Sequence, residues 1–400
     1  MLCSLIMKTK IKYELIYKII CVIFCYAMAF FTSPTTWQDR EITKPKSHTK
    51  KDPVFSAKLI APEFSQKKNH VSSITALDEK RQMCVWYAGS EEGAADVEIY
   101  AAIKEDGVWS SPQSILDLST SSTELQRYIR KVGNAVVFKD ANNVLWLFYC
   151  TVPIGGWSMA RTNYRYSHDN GKTWSKSKEL LLNPFLSLSN NVKNKPLLFA
   201  DGSFLLPLYQ EFINKYGLVL WGKLHEGEFK YMVRRISHKY KCLQPTLVHR
   251  QNRTIDAYCR NRDKGQMLHM ESSDLGISWS AVNEGNLPNP NSGFDMLHIA
   301  AQEYVGIINY SPKERDNLVV VHTQNAGKKW NVLHYLENPI PKEQDERFKA
   351  IGKMGHYYQY PAIIEQEGNY HLTYTCFNKI KYTTFNSAWL NKKLQEVTKQ

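Results

Sequence analysis

Ser167-His-Asp-Asn-Gly-Lys-Thr-Trp174 reads as a tight polar turn closed by a large aromatic residue. The Asp accepts backbone hydrogen bonds across the turn, the Gly supplies a positive φ, the Ser and Thr cap it, and the Trp packs between sheets. The turn returns as Ser272-Ser-Asp-Leu-Gly-Ile-Ser-Trp279, and in reduced form as Glu105-Asp-Gly-Val-Trp109 and Thr323-Gln-Asn-Ala-Gly-Lys-Lys-Trp330. Its glycines, Gly107, Gly171, Gly276 and Gly327, are spaced by about fifty to sixty residues, apart from one gap of about twice that, with a degenerate His225-Glu-Gly-Glu-Phe229 near its middle.

Between the turns run short aromatic and β-branched stretches such as Val144-Leu-Trp-Leu-Phe-Tyr149, Phe204-Leu-Leu-Pro-Leu-Tyr209 and Val319-Val-Val-His322. No long helical periodicity is present before Trp389 to Lys399. About fifty residues is what one four-stranded propeller blade takes. Five turns, with a final unit around Tyr357 to Phe385, predict an all-β, six-bladed β-propeller of four-stranded antiparallel blades over residues 58–386, followed by a tail at 387–400. A repeat fold of this kind carries 400 residues as one domain, and 43% hydrophobic residues against 22% charged ones exclude wholesale disorder.

The turn is the Asp-box, and its repetition resembles the sialidase (neuraminidase) superfamily, more closely the bacterial sialidase-like Asp-box (BNR) repeat branch. Similar stretches are Trp86-Tyr-Ala-Gly-Ser-Glu-Glu-Gly-Ala-Ala-Asp-Val-Glu-Ile-Tyr100, Lys193-Asn-Lys-Pro196, Leu287-Pro-Asn-Pro-Asn-Ser-Gly293 and Tyr358-Gln-Tyr-Pro361. The likeness covers about residues 58–385, and it implies an exported glycosidase acting on a terminal sialic-acid-like or other acidic sugar of a glycan or glycoconjugate.

The chemistry of such a sugar is demanding. A sialoside carries a carboxylate on its anomeric carbon, so arginines should hold it, while a carboxylate nucleophile would be repelled and a tyrosine serves instead. The resemblance puts Asp96 in the acid/base position, with Glu91 and Glu92 beside it. Arg260, Arg262 and Arg315 resemble arginines of the carboxylate-binding triad, and Tyr360 resembles the nucleophile, with Tyr358 its near rival. Two positions depart from the pattern. His70, in His70-Val-Ser-Ser73, stands where an arginine opens the first blade, and Gln244 stands where the tyrosine's glutamate partner should be. Glutamine cannot act as a base, so Glu211 is a candidate substitute. A glycan lyase using His70 and a tyrosine, and a propeller that binds glycans without turnover, remain open alternatives.

Lys8, Lys10, Lys12 and Lys18 precede the apolar Ile19 to Phe31, and Ala27-Met28-Ala29 offers a small-residue cleavage site. Residues 1–32 therefore read as a signal peptide or signal anchor and 33–57 as a linker. The domain is expected in the periplasm or outside the cell, with membrane contact only through residues 15–32, and as a monomer. The net charge is +13, and residues 1–52 hold nine basic against four acidic side chains. The rest is spread without a basic-aromatic cluster, which argues against nucleic acid as a partner. The cysteines show no metal-ligand spacing, so no metal and no cofactor is expected. Cys84, Cys150, Cys242, Cys259 and Cys376 read as buried thiols, with room for one disulfide if the domain is exported.

Overall fold

The computed structural model describes residues 16–22, 40–43, 52–64, 67–182, 187, 189–212, 214–236, 241–339 and 357–399. The chain divides into two compact units, Met1–Arg40 and Glu41–Gln400. Within the first, residues 16–22 are helical. Most of the expected signal segment, Ala27-Met28-Ala29 included, lies outside the described residues, and among those described no helix is long and apolar enough to cross a membrane.

The second unit is the propeller. Six antiparallel sheets follow one another along the chain. Their first strands are Lys68–Ala76, Lys131–Lys139, Asn190–Val192 with Leu197–Leu198, Cys242–His249, Asp295–Ala300 and Tyr358–Gln366, here blades 1 to 6. These strands are largely buried and lie against one another around the axis. Blade 6 takes its outermost strand from the other end of the unit: Phe55–Leu59 pairs antiparallel with Lys381–Phe385 and closes the ring. The sheet thus begins at Phe55, inside the stretch expected to be linker. The expected tail is a helix, Ser387–Thr398, capped by Asn386, whose side chain accepts from Trp389 N at 2.9 Å.

The core lies between blades, where facing sheets interdigitate apolar side chains. Val85, Val97 and Ile99 of blade 1 meet Val137, Leu147 and Tyr149 of blade 2, and Phe148 and Trp146 of blade 2 meet Phe204 and Leu206 of blade 3. The Asp-boxes lock the third strand of a blade to its fourth. Asp169 accepts from Thr173 N at 2.8 Å and Thr173 Oγ1 at 2.6 Å, Ser167 Oγ accepts from Gly171 N at 2.8 Å, and Gly171 has a φ of 87°. Asp274 repeats the arrangement with Ser278, and Asn325 a weakened form of it with Lys329. The two most reduced copies are another kind of turn. Asp106-Gly107 and Glu226-Gly227 are two-residue hairpins with both φ angles positive, a geometry that suits Asp and Gly without an Asp-box network.

Cys242 and Cys259 are joined by a disulfide across the first two strands of blade 4, so these two are not the buried thiols the sequence suggested. Cys84 and Cys150 are buried and free.

Candidate active site

Four of the six first strands break register at matching height, between His70 and Ser73, Gly133 and Val136, Leu243 and Thr246, and Gln359 and Ala362. One residue in each break has left-handed backbone: Val71 at 51°, Asn134 at 47°, Gln244 at 46° and Tyr360 at 52°. An extra residue in one strand of a ladder bends it and re-aims a side chain. A positive φ on a β-branched or bulky residue is a strained state that the surrounding fold has to hold. The pairings His70 with Tyr87, Leu243 with Arg260 and Gln359 with Thr375 put these breaks at the same end as the hairpins joining second to third strands. The Asp-boxes, between third and fourth strands, lie at the other end.

At the bulged end opens a cavity of about 310 Å³. Its cations are Arg260, Arg315 and Lys68, its carboxylates Glu91 and Glu92, and its rings His70, Tyr87 and Tyr360, with Gln359 and Asn378 completing the wall. Arg315, 7% exposed, donates to Gln359 Oε1 at 2.9 Å and to the carbonyl of Asn291. Burial lowers its pKa and Arg260 lowers it further, against the pull of Tyr360. Arg260 donates through Nε to Asn291 Oδ1 at 2.7 Å and through Nη1 to Gln244 Oε1 at 3.1 Å. Asn291 therefore ties both guanidinium groups together.

Gln244 also donates to the Tyr209 hydroxyl at 3.3 Å, as Asn134 does at 3.4 Å. Burial pushes Tyr209 well above the usual phenol range, and Glu211 adds to that push. Gly293 separates Gln244 from Tyr360 so closely that a Cβ there would lie 2.8 Å from Gln244 Oε1 and 2.8 Å from Tyr360 Cδ1. On the other side of Tyr360, the His70 ring meets it edge-on with centroids 5.0 Å apart, and meets Tyr87 at 5.6 Å. Burial, with help from Arg315 and against Glu92, lowers His70 to about 4. It is neutral near pH 7 and does not replace an arginine's charge. Tyr87 is raised well above its ordinary value by burial and by the nearby Glu92 carboxylate, which accepts from Trp157 Nε1 at 3.0 Å.

The structure thus gathers His70, Glu92, Arg260, Arg315 and Tyr360 around one cavity, with Gln244 bonded to its edge. Asp96 is on the same hairpin as Glu92 but is not among the lining residues. Its exposed carboxylate accepts from Ser90 Oγ at 2.8 Å and Ser90 N at 2.9 Å, and these bonds lower its pKa, the opposite of what a general acid needs. Arg262 lies one residue past its strand, exposed, and Glu211 is half-buried beyond the end of its own. Tyr358 is buried beside Tyr357 and Phe377, because the bulge breaks the alternation that would have put it on the face of Tyr360. Sequence reasoning passed over Lys68, Gln359, Asn378 and Asn291. Gln359 carried one signal, lying between two tyrosines already singled out. Among the described residues no group of His, Cys, Asp and Glu could hold a metal ion.

A ring of six blades, Asp-box turns at one end and paired arginines in a cavity at the other define a sialidase-like propeller of the BNR superfamily. The chain belongs to the BNR repeat-like domain family, whose model matches residues 80–372. Among solved structures it is similar to a Hadza microbial sialidase, at 11% identity and a TM-score of 0.63, over 80% of this chain and 66% of that one. It also resembles a protein of unknown function from Dyadobacter fermentans, at 10% identity and a TM-score of 0.63, over 82% and 97% of the two chains. The intramolecular trans-sialidase of Ruminococcus gnavus, solved with oseltamivir carboxylate, is 14% identical, with a TM-score of 0.60 over 83% of this chain and 97% of its own. At such identities the likeness shows the fold alone. No curated protein matches this chain.

Proposed function

We propose that this protein is an exported glycosidase that removes a terminal acidic sugar from a glycan. The observation that carries the reading is the pair Arg260 and Arg315, cross-tied through Asn291, in one cavity with Tyr360. Two fixed guanidinium forks suit a carboxylate in a way that scattered lysines do not. In this reading they hold the sugar's carboxylate, and Tyr360 faces the anomeric carbon, where an anionic nucleophile would be repelled. Glu92, already at the cavity, protonates the leaving oxygen. Asp96 could take that role only by releasing Ser90. As the Tyr360 oxygen bonds the anomeric carbon, its proton passes to the neutral His70 ring edge-on beside it, and the departing oxygen takes the proton of Glu92.

Export is supported by the basic-then-apolar order of the first residues and by the Cys242–Cys259 disulfide, since such bonds persist in oxidising compartments. One observation favours a second reading, a glycan-binding propeller without turnover. The side chain across Gly293 from Tyr360 is Gln244, which cannot take the tyrosine's proton.

The test is reporter release from a panel of α-sialosides, uronides and neutral glycosides, with Tyr360→Phe and Glu92→Gln in parallel, beside calorimetric titration with the free acidic sugars. Turnover confined to acidic glycosides and lost in both variants supports the glycosidase. Affinity without turnover supports the binding module, and formation of an unsaturated uronide would replace both with a lyase.

A further inference from the structure

The first strand of blade 3 is interrupted. Between Asn190–Val192 and Leu197–Leu198 the chain leaves the sheet as Lys193-Asn194-Lys195-Pro196. These side chains reach across the axis to three other blades. Lys193 Nζ donates to Pro361 O of blade 6, diametrically opposite, at 2.6 Å, and to Phe294 O at the start of blade 5 at 3.5 Å. Asn194 Nδ2 donates to Gln244 O at 3.0 Å, Pro245 O at 3.0 Å and Thr246 Oγ1 at 2.6 Å in blade 4. Lys195 pairs with Asp295 of blade 5 at 2.6 Å.

The targets are not arbitrary. The register breaks in blades 4 and 6 each contain a bulged residue followed by proline, Gln244-Pro245 and Tyr360-Pro361. Proline has no N–H for the ladder, and the break takes the neighbouring carbonyls off it, so buried acceptors are left for which some donor must be found. Asn194 serves the carbonyls of the Gln244 bulge, and Lys193 serves that of the Tyr360 bulge. Phe294, whose carbonyl also accepts from Thr246 Oγ1 at 3.2 Å, follows the Gly293 that separates Gln244 from Tyr360.

We infer that Lys193 and Asn194 are positioning residues, which cross the axial channel beneath the cavity and hold the two bulges that turn Tyr360 and Gln244 toward the substrate. The catalytic part of this inference rests on the glycosidase reading above, whereas the structural part does not. A protonated amine has three donors, matching Asn194 Oδ1, Pro361 O and Phe294 O. Burial, aided by Lys195 and Arg260 and opposed by Asp295, lowers Lys193 to about 7. Above neutral pH the amine loses one donor, and the grip on one of those acceptors loosens.

The experiment compares wild type with Lys193→Met, Asn194→Ala and a distant control, Gln82→Ala, which breaks a buried hydrogen bond to Gln366 at the Asp-box end. The expected result is a fall in kcat of about hundredfold for the first two, with KM within about threefold, since misplacement of a reacting group by about 1 Å has that effect. The control should leave both constants near wild type. The wild-type kcat profile should fall above about pH 7, and that limb should be absent in Lys193→Met. Crystal structures of wild type and Lys193→Met supply a readout independent of turnover: the φ of Tyr360, positive in the first, should return to the extended region in the second. A positive φ and undiminished kcat in Lys193→Met would overturn the inference, as would an equal loss in Gln82→Ala. If wild type turns nothing over, the φ comparison alone decides it, and that failure belongs to the glycosidase reading.

Discussion

Replacing Arg315 by Met removes the guanidinium while keeping most of the stem. In the folded protein the group is 7% exposed and its fork is already oriented by Gln359 and Asn291, so solvent screening is slight and little side-chain entropy is left to lose on binding. A hydrogen bond to a charged group contributes about 1.5–3 kcal/mol, so a two-pronged contact with a sugar carboxylate contributes about 3–6 kcal/mol. Arg260 remains and takes over part of the charge, which places the loss near the lower end, about 3 kcal/mol or roughly hundredfold in kcat/KM. Arg315→Lys, which keeps a cation but not the fork, should recover about tenfold of that. The assay is kcat/KM on the best acidic glycoside and on a neutral analogue with the same leaving group, with Tm measured on each variant to confirm folding. Activity within threefold of wild type on the acidic glycoside would refute the reasoning. An equal loss on the neutral analogue would do the same, because it would make Arg315 a support of the fold rather than a carboxylate ligand.

His70 is neutral in the folded protein down to about pH 4, whereas an unfolded histidine takes its proton near 6.5, so the folded state binds fewer protons in that window and stability falls as pH drops through it. His70→Asn should accordingly lose less Tm than wild type between pH 7 and pH 4, and parallel losses would count against a buried neutral ring. The Cys242–Cys259 bridge spans a sequence separation of 17, for which loss of the cross-link should lower stability by about 3 kcal/mol. The double Ser variant, followed by denaturant unfolding, should show that drop together with weaker affinity for acidic sugars, since the bridge joins the strands that present Gln244 and Arg260; unchanged affinity would separate the bridge from the site. Deleting residues up to Leu59 removes the outermost strand of blade 6 and exposes the edge formed by Lys379–Asn386. Such a protein should elute as aggregate or dimer in size-exclusion chromatography, and a monomeric, equally stable product would contradict the closure.

Much of the fold could be read from local chemistry. The Asp-box at Ser167 to Trp174 makes its own hydrogen bonds within eight residues, so its sequence states its structure, and its repetition states the architecture. The reduced copy at Glu105 to Trp109 kept the Gly and the Trp but lost the Ser and Thr partners of the Asp, which is why it folds as a plain two-residue hairpin. Ring closure could not be read, because Phe55–Leu59 has its partner more than three hundred residues away and gains its meaning only there. At the bulged end, five of the residues singled out by type converge on one cavity, whereas strand alternation misdirected the detail. Alternation puts Tyr358 and Tyr360 on one face, and the break between Gln359 and Ala362 separates them. That break depends on carbonyl partners supplied from the far side of the axis by Lys193, and nothing near Tyr360 in the sequence announces a donor 167 residues earlier.

The closure by Phe55–Leu59 also sets a timetable. This strand is among the first parts of the propeller to leave the ribosome, and its hydrogen-bonding edge has to wait for Lys379–Asn386, among the last. Until then blade 6, whose innermost strand carries Tyr360 and Gln359, lacks its outermost strand. Contacts of such sequence separation make slow, late folding steps. The nascent chain therefore carries an open edge, and the ring is complete only with the final blade.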